Sequence, residues 1–290
     1  MNRARIATAM IAVLGGAIAA QAQFGGVLNR AKDKINAAQD KAKPATDRAQ
    51  KAVDTFTPWT AQEEQDIGAA GAAKMVAMFG LVDDAKVTRY VNLTGQVVAQ
   101  FASRDLPYRF GVLDTDIVGA YALPGGYIFV TRGMLSGMNS EAQLAGALGH
   151  EVVHCAERHL EREIRSKKTS AWATEEAKNS VKSSDLASLR ADALIGDLFN
   201  TRLSRDKEDA ADEQGTRMAA KAGYSAAGLM QLLEAMSHAG SKPENQRAFG
   251  QLLSTHPAFD DRVAHLKPIV QSSDAGGKTL EARFRAAILQ

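Results

Sequence analysis

His150, Glu151, Val152, Val153 and His154 form an H-E-x-x-H sequence. Residues four apart on a helix are separated by one turn and roughly 40° of rotation, so both imidazoles can converge on one zinc ion at ~2.0–2.1 Å. Glu151 flanks the same face, where its carboxylate can take a proton from an attacking water. Only six histidines occur in the 290 residues, which makes an accidental match rare; two surface histidines on an amphipathic helix are the alternative. A zinc hydrolase needs three protein ligands and an open fourth position. The metzincin arrangement would place a glycine at position 157 and a histidine at 160, and the chain has Glu157 and Leu160, which excludes that subclass. A better third ligand is Glu208, in a charge-rich stretch from Ser204 to Asp212 that reads as helix. Asp212 follows one turn later on the same face, placed to accept the outer N–H of a ligand histidine and fix its tautomer. Taken alone, these two carboxylates could also be solvated members of a charged surface.

The elements that must position these groups can be read from the flanking pattern. Ser140 to Arg165 reads as one helix, with Ser140 as N-cap and Gln143 as its capping-box partner. Upstream, helical patterning covers Glu63 to Phe79 and Val87 to Ala102. Three short strand-like runs follow, Tyr108 to Leu113, Val118 to Leu123 and Tyr127 to Thr131, the last two joined by Pro124, Gly125 and Gly126. They predict a small antiparallel sheet among helices. Downstream, Ser166 to Ser184 reads as a polar loop, helices resume over Asp185 to Ala222 and Ala226 to His238, and a short one follows Pro257. Cys155 reads as a buried small hydrophobe, His159 as a packing histidine or one behind the ligands, and His238 and His265 as surface residues. Met218 and Met230 occur at helical spacing and read as core.

H-E-x-x-H at 150–154 followed by S-R-x-x-E-x-x-A-D-x-x-G at 204–215 resembles the metallopeptidase family numbered forty-eight, which includes the HtpX heat-shock protease, the CAAX prenyl endopeptidases and exported bacterial relatives. Further blocks look like that family in order: Glu63 to Gly68, Tyr90 to Gly95, Ala120 to Gly133, and Thr255, His256 and Pro257 with Arg262 and Leu266. The resemblance covers about residues 60–268 and implies a mainly helical α+β, zincin-like domain of the gluzincin type. It implies that His150, His154 and Glu208 bind one zinc, that Glu151 is general base and later proton donor, and that Asp212 stands behind the ligands. His256 is then a group for the oxyanion or an inhibitory fourth ligand, although a T-H-P histidine could equally cap a helix. Gly119, Ala120, Tyr121, Ala122 and Leu123 become the edge strand that holds a substrate extended. The family usually has asparagine where this chain has Gly119, a departure that touches a backbone contact and no ligand.

The ends and the composition frame the domain. Residues 1–22 combine Arg3 and Arg5, an apolar run from Ile6 to Ala20 and the triplet Ala20, Gln21, Ala22, the pattern of a cleavable signal peptide and of export to a Gram-negative periplasm. From Leu28 to Thr55 a seven-residue repeat sets Asp33, Asp40, Asp47 and Asp54 in register, with Pro44 interrupting the third heptad, so residues 23–56 read as an alanine-rich helical spacer. The metallopeptidase domain is expected over 57–268 and a tail over 269–290. Without Arg3 and Arg5, 33 basic residues stand against 33 acidic, which excludes nucleic-acid binding by bulk charge. With Cys155 as the sole cysteine, no intrachain disulfide can form. The expected activity is endoproteolysis of unfolded or misassembled envelope proteins. Peripheral membrane association and a weak homo-oligomer through residues 28–55 stay open, as does a zinc-stabilised, chaperone-like module that binds chains without cutting them.

Overall fold

The structure is a computed structural model that describes residues 58–165, 195–196, 198, 203–256, 259–273 and 276–288. The expected signal peptide, the heptad spacer and the 166–184 loop lie outside the described residues. The domain opens with α1 (Ala61–Phe79), whose first turn is closed by a reciprocal cap: the Thr60 hydroxyl accepts the Glu63 N–H at 3.2 Å and the Glu63 carboxylate accepts the Thr60 N–H at 2.8 Å. Helix α2 (Ala85–Ala99) starts at Asp84, whose carboxylate accepts the Lys86 and Val87 N–H groups.

Strands β1 (Arg109–Leu113), β2 (Ala120–Leu123) and β3 (Tyr127–Thr131) follow at the expected places. Their topology differs from the expected antiparallel sheet. The order is β1-β3-β2, with β1 parallel and β2 antiparallel to β3, so the sheet is mixed. The chain from β1 passes to the far edge before turning back, and β3 inserts between its predecessors; local alternation carries no record of that crossing. The β2–β3 turn is Pro124, Gly125, Gly126, and both glycines have positive φ (73° and 83°), a conformation side chains resist. In this order β2 is an edge strand, and no further strand pairs with it among the described residues.

After α3 (Arg132–Ser136), helix α4 (Glu141–Ala156) carries the H-E-x-x-H segment with every residue buried. Ser140 accepts the Gln143 N–H at 3.2 Å, but Gln143 does not complete the expected box: its Oε1 takes the N–H of Asn139, one residue earlier. Nor does the helix run unbroken to Arg165. It stops at Ala156, and Arg158 adopts a left-handed conformation (φ 54°) before helix resumes over 159–165. That conformation costs an arginine about 1–2 kcal/mol. Three anchors hold it: Arg158 Nη1 donates to the Trp59 carbonyl at 3.2 Å, and its guanidinium meets Glu64 at 3.1 Å and Glu161 at 3.5 Å.

The later helices are α5 (Arg205–Lys221), α6 (Ala227–Gly240), α7 (Gln246–Thr255), α8 (Phe259–Ser273) and α9 (Glu281–Ile288). Leu203 and Ser204 are non-helical, so the helix expected from Asp185 is interrupted before Arg205. The helix after Pro257 is not short but runs 15 residues, through Pro268. Residues 269–273 and 276–288, within the stretch expected as a tail, fold onto the domain. Phe284 is fully buried edge-on to Tyr90, Arg283 pairs with Glu141 at the start of α4, and the Thr279 carbonyl accepts the Ala142 N–H at 3.1 Å. Glu141 also accepts from the Tyr224 hydroxyl at 2.7 Å and from Tyr90, so its charge sits fully partnered at the positive end of α4. Truncating Phe284 to alanine is expected to lower stability by about 3–5 kcal/mol. Urea unfolding followed by circular dichroism would read this as a lower midpoint at unchanged slope.

Candidate metal centre

The centre is assembled where α4 crosses α5. A Cβ at Gly149 would lie 2.8 Å from the Gly215 carbonyl oxygen, and one at Gly215 would lie 2.6 Å from the His150 backbone nitrogen. Two glycines therefore let the backbones meet at a separation that any other residue would widen. Upstream of Gly215 on α5, Asp212 and Glu208 follow at intervals of three and four residues, which stacks both carboxylates toward α4.

Four groups then converge. His150 Nε2 and His154 Nε2 lie 2.9 Å apart; Glu208 approaches the first with Oε2 at 3.7 Å and the second with Oε1 at 3.6 Å. His256 Nδ1 stands 2.8 Å from Glu208 Oε2, and all four residues offer a ligand atom within 4.8 Å of the others. His256 ends α7 and also reaches the cluster. Its backbone N–H closes α7 on the Leu252 carbonyl, while its imidazole, 13% exposed, reaches the cluster.

The outer nitrogens are fixed as well. Asp212 Oδ1 lies 2.8 Å from His150 Nδ1, and His159 Nδ1 lies 2.8 Å from His154 Nδ1. A metal bound between the two Nε2 atoms would put the proton of each ring on Nδ1, with Asp212 and His159 as the acceptors. The break at Arg158 is what returns His159 to this position, since an unbroken helix would rotate residue 159 away from residue 154.

Sequence reasoning missed the part played by Arg262. Its guanidinium donates to both oxygens of Asp212 at 2.6 and 2.7 Å and meets Glu208 Oε2 at 3.3 Å. The signal was present: Phe259, Arg262, Val263 and Leu266 share the buried stripe of α8, and an arginine in that stripe needs a buried anion.

The electrostatics suit metal binding. Burial drives the His154 pKa well below its ordinary value, and the neighbouring His150 adds to this, so the ring is a neutral ligand. Burial would raise the Glu208 pKa, but His256, His150 and His154 outweigh it and hold the group ionised. Burial raises the Glu151 carboxyl, against the pull of His150 and His256. Oxygen Oε1 of Glu208 is buried with no hydrogen-bond partner, an arrangement costly for a carboxylate unless a cation completes it. Two inward imidazole nitrogens and this oxygen are thus a donor set that fits a divalent metal.

Comparison with known proteins fits the same geometry. The profile described as "Peptidase family M48" matches residues 85–270, which holds α2 through most of α8. The chain belongs to this family. Relatives include the "Beta-barrel assembly-enhancing protease" of Escherichia coli, 26% identical over 231 residues that make up 73% of this chain and 46% of the relative. "Metalloprotease YcaL" of Escherichia coli is 27% identical over 172 residues, 57% of this chain and 63% of the relative. "Metalloendopeptidase OMA1, mitochondrial" of Danio rerio is 28% identical over 204 residues, 64% of this chain and 40% of that protein. The chain thus spans about half the length of the first of these. Membership in M48 and the four-residue cluster together imply a metal cofactor.

A Cβ at Gly119 would sit 2.9 Å from the Tyr121 hydroxyl, so the tyrosine occupies the space a side chain at 119 would need. Tyr121 is pushed up to about 12 by burial and by the Glu151 carboxylate, and stays a neutral neighbour of the centre.

Two substitutions probe the assembly. Gly215→Ala is expected to push α5 off α4 and to reduce bound metal below one per chain while the fold survives, read by elemental analysis of dialysed protein. Asp212→Asn is expected to weaken metal affinity about 10–100-fold, because His150 loses the carboxylate that fixes its tautomer; competition with a chromogenic chelator measures it.

Proposed function

We propose that this protein is a zinc-dependent endopeptidase that hydrolyses unfolded or misassembled polypeptides of the cell envelope. The observation that carries the reading is the convergence of His150 Nε2, His154 Nε2 and the Glu208 carboxylate beside Glu151 and the edge strand β2. Two imidazoles and one carboxylate suit zinc and leave a fourth position for water or substrate. Zinc bound there supplies Lewis-acid polarisation of the scissile carbonyl and activation of the attacking water.

The chain's own residues supply the rest. Glu151 takes the proton of the attacking water and returns it to the leaving amine, and a carboxyl whose pKa is raised by burial serves both directions of transfer. His256, held on the cluster by Glu208, is placed either to donate to the developing oxyanion or to occupy the fourth position when substrate is absent. Asp212 and His159 hold the ligand rings in one tautomer, and Arg262 holds Asp212 and Glu208. Gly119 to Leu123, on the side of β2 where no strand pairs among the described residues, offers an edge to an extended peptide, which demands little of substrate sequence and suits unfolded chains.

The envelope assignment rests on the signal-like N-terminus and on the names of the relatives. No described helix is long and apolar enough to cross a membrane. The mature chain is expected to begin at Gln23, which N-terminal sequencing of protein secreted by its host would check.

The deciding experiment is cleavage of casein by the zinc-loaded protein beside Glu151→Gln, with zinc content measured in both. Both are expected to hold one zinc, with cleavage lost by at least about 10²-fold in the variant. Equal cleavage by both would take the role of base away from Glu151, and a zinc-loaded wild type that binds casein without cutting it would replace the peptidase with the non-cleaving binding module.

A further inference from the structure

Helix α1 carries no metal ligand, yet one of its side chains reaches the end of α4. Glu64, on the buried face of α1, is 2% exposed. Its carboxylate accepts from Arg104 through both oxygens, at 3.1 and 2.9 Å, and from the Gly125 N–H of the β2–β3 turn at 3.4 Å. The Arg158 guanidinium meets the same carboxylate at 3.1 Å. Both arginines act where α4 stops. Arg104 also donates to the Cys155 carbonyl in the last turn at 3.4 Å, and Arg158 is the left-handed residue at φ 54°.

His159 depends on that second residue. On an unbroken helix, a side chain five residues after His154 would point about 140° away from it. Past the left-handed residue, His159 Nδ1 stands 2.8 Å from His154 Nδ1. An arginine resists this conformation and no glycine is there to accept it, so residue 158 must be held by its surroundings. Of its two carboxylate partners Glu64 is the nearer, at 3.1 Å against 3.5 Å for Glu161, and Glu161 lies only three residues further along the same segment. Glu64, Arg158, His159 and His154 therefore stand in series, and of these His154 alone belongs to the metal cluster.

We propose that Glu64 is a positioning residue of the metal centre: by holding Arg158 left-handed it sets His159 against His154 and so fixes the ring of that ligand. The inference rests on the assignment of His154 as a metal ligand and on no particular substrate. A carboxylate that only stabilised the fold would matter equally whatever residue stood at 158. A positioning carboxylate becomes superfluous once residue 158 needs no holding, and glycine takes a positive φ without strain.

The test is a double-mutant cycle read by zinc affinity, from competition with a chromogenic chelator, and by the visible absorption spectrum of the cobalt-loaded protein. Glu64→Gln and Arg158→Ala are each expected to weaken zinc binding about tenfold and to alter the cobalt spectrum, because His159 no longer supports the ligand ring. Arg158→Gly is expected to keep the affinity and spectrum of the wild type, and adding Glu64→Gln to it is expected to change neither. Wild-type affinity in Glu64→Gln, or the same loss from Glu64→Gln in both backgrounds, would overturn the proposal. So would Arg158→Gly binding zinc as weakly as Arg158→Ala, a comparison that decides the matter even if Glu64→Gln does not fold. A wild type that binds neither zinc nor cobalt would remove the metal assignment and this inference together, whereas a zinc-loaded wild type that leaves casein uncut would remove the peptidase alone.

Discussion

The centre depends on how closely two backbones can approach. Histidines four residues apart on α4 can supply two metal ligands, but the third must come from another helix at nearly van der Waals contact. Gly149 and Gly215 permit that contact, and the three- and four-residue steps back from Gly215 then determine which α5 side chains face His150. Metal geometry is in this sense set by two residues that carry no side chain at all.

Around that contact the charges are nested. Glu208 and Asp212 would be expensive to bury singly, and their partners come from three directions: the α4 histidines, His256 at the end of α7, and Arg262 of α8. Each partner is itself buried or mostly so, and removing one would leave another unpaired. The Glu208 oxygen without a partner marks where the protein stops supplying positive charge and a cation must.

Part of this was legible in residue type and spacing, because a helix translates spacing into direction: His150 with His154 and Glu208 with Asp212 each share a face by that rule, the family resemblance joined the two pairs, and the structure brings them together beside Glu151. What escaped depends on distant contacts. Insertion of β3 between β1 and β2 is a topological fact that alternation cannot encode. The left-handed Arg158 is held by a carbonyl 99 residues away, and no glycine marks the break. The stretch after residue 268 reads as a tail, yet Ile269, Val270, the Thr279 carbonyl, Arg283 and Phe284 attach its described residues to the core.

That attachment sets an order of events for a growing chain. The first turn of α4 receives its closing carbonyl from Thr279 and its guanidinium from Arg283, the latter 142 residues after Glu141. Every group of the metal cluster emerges before these two do. A partly emerged chain therefore holds every group of the cluster on a helix whose leading end is unfinished, and loop closure across the domain stands between synthesis and a rigid centre. The centre, on this geometry, is made rigid last and from the far end.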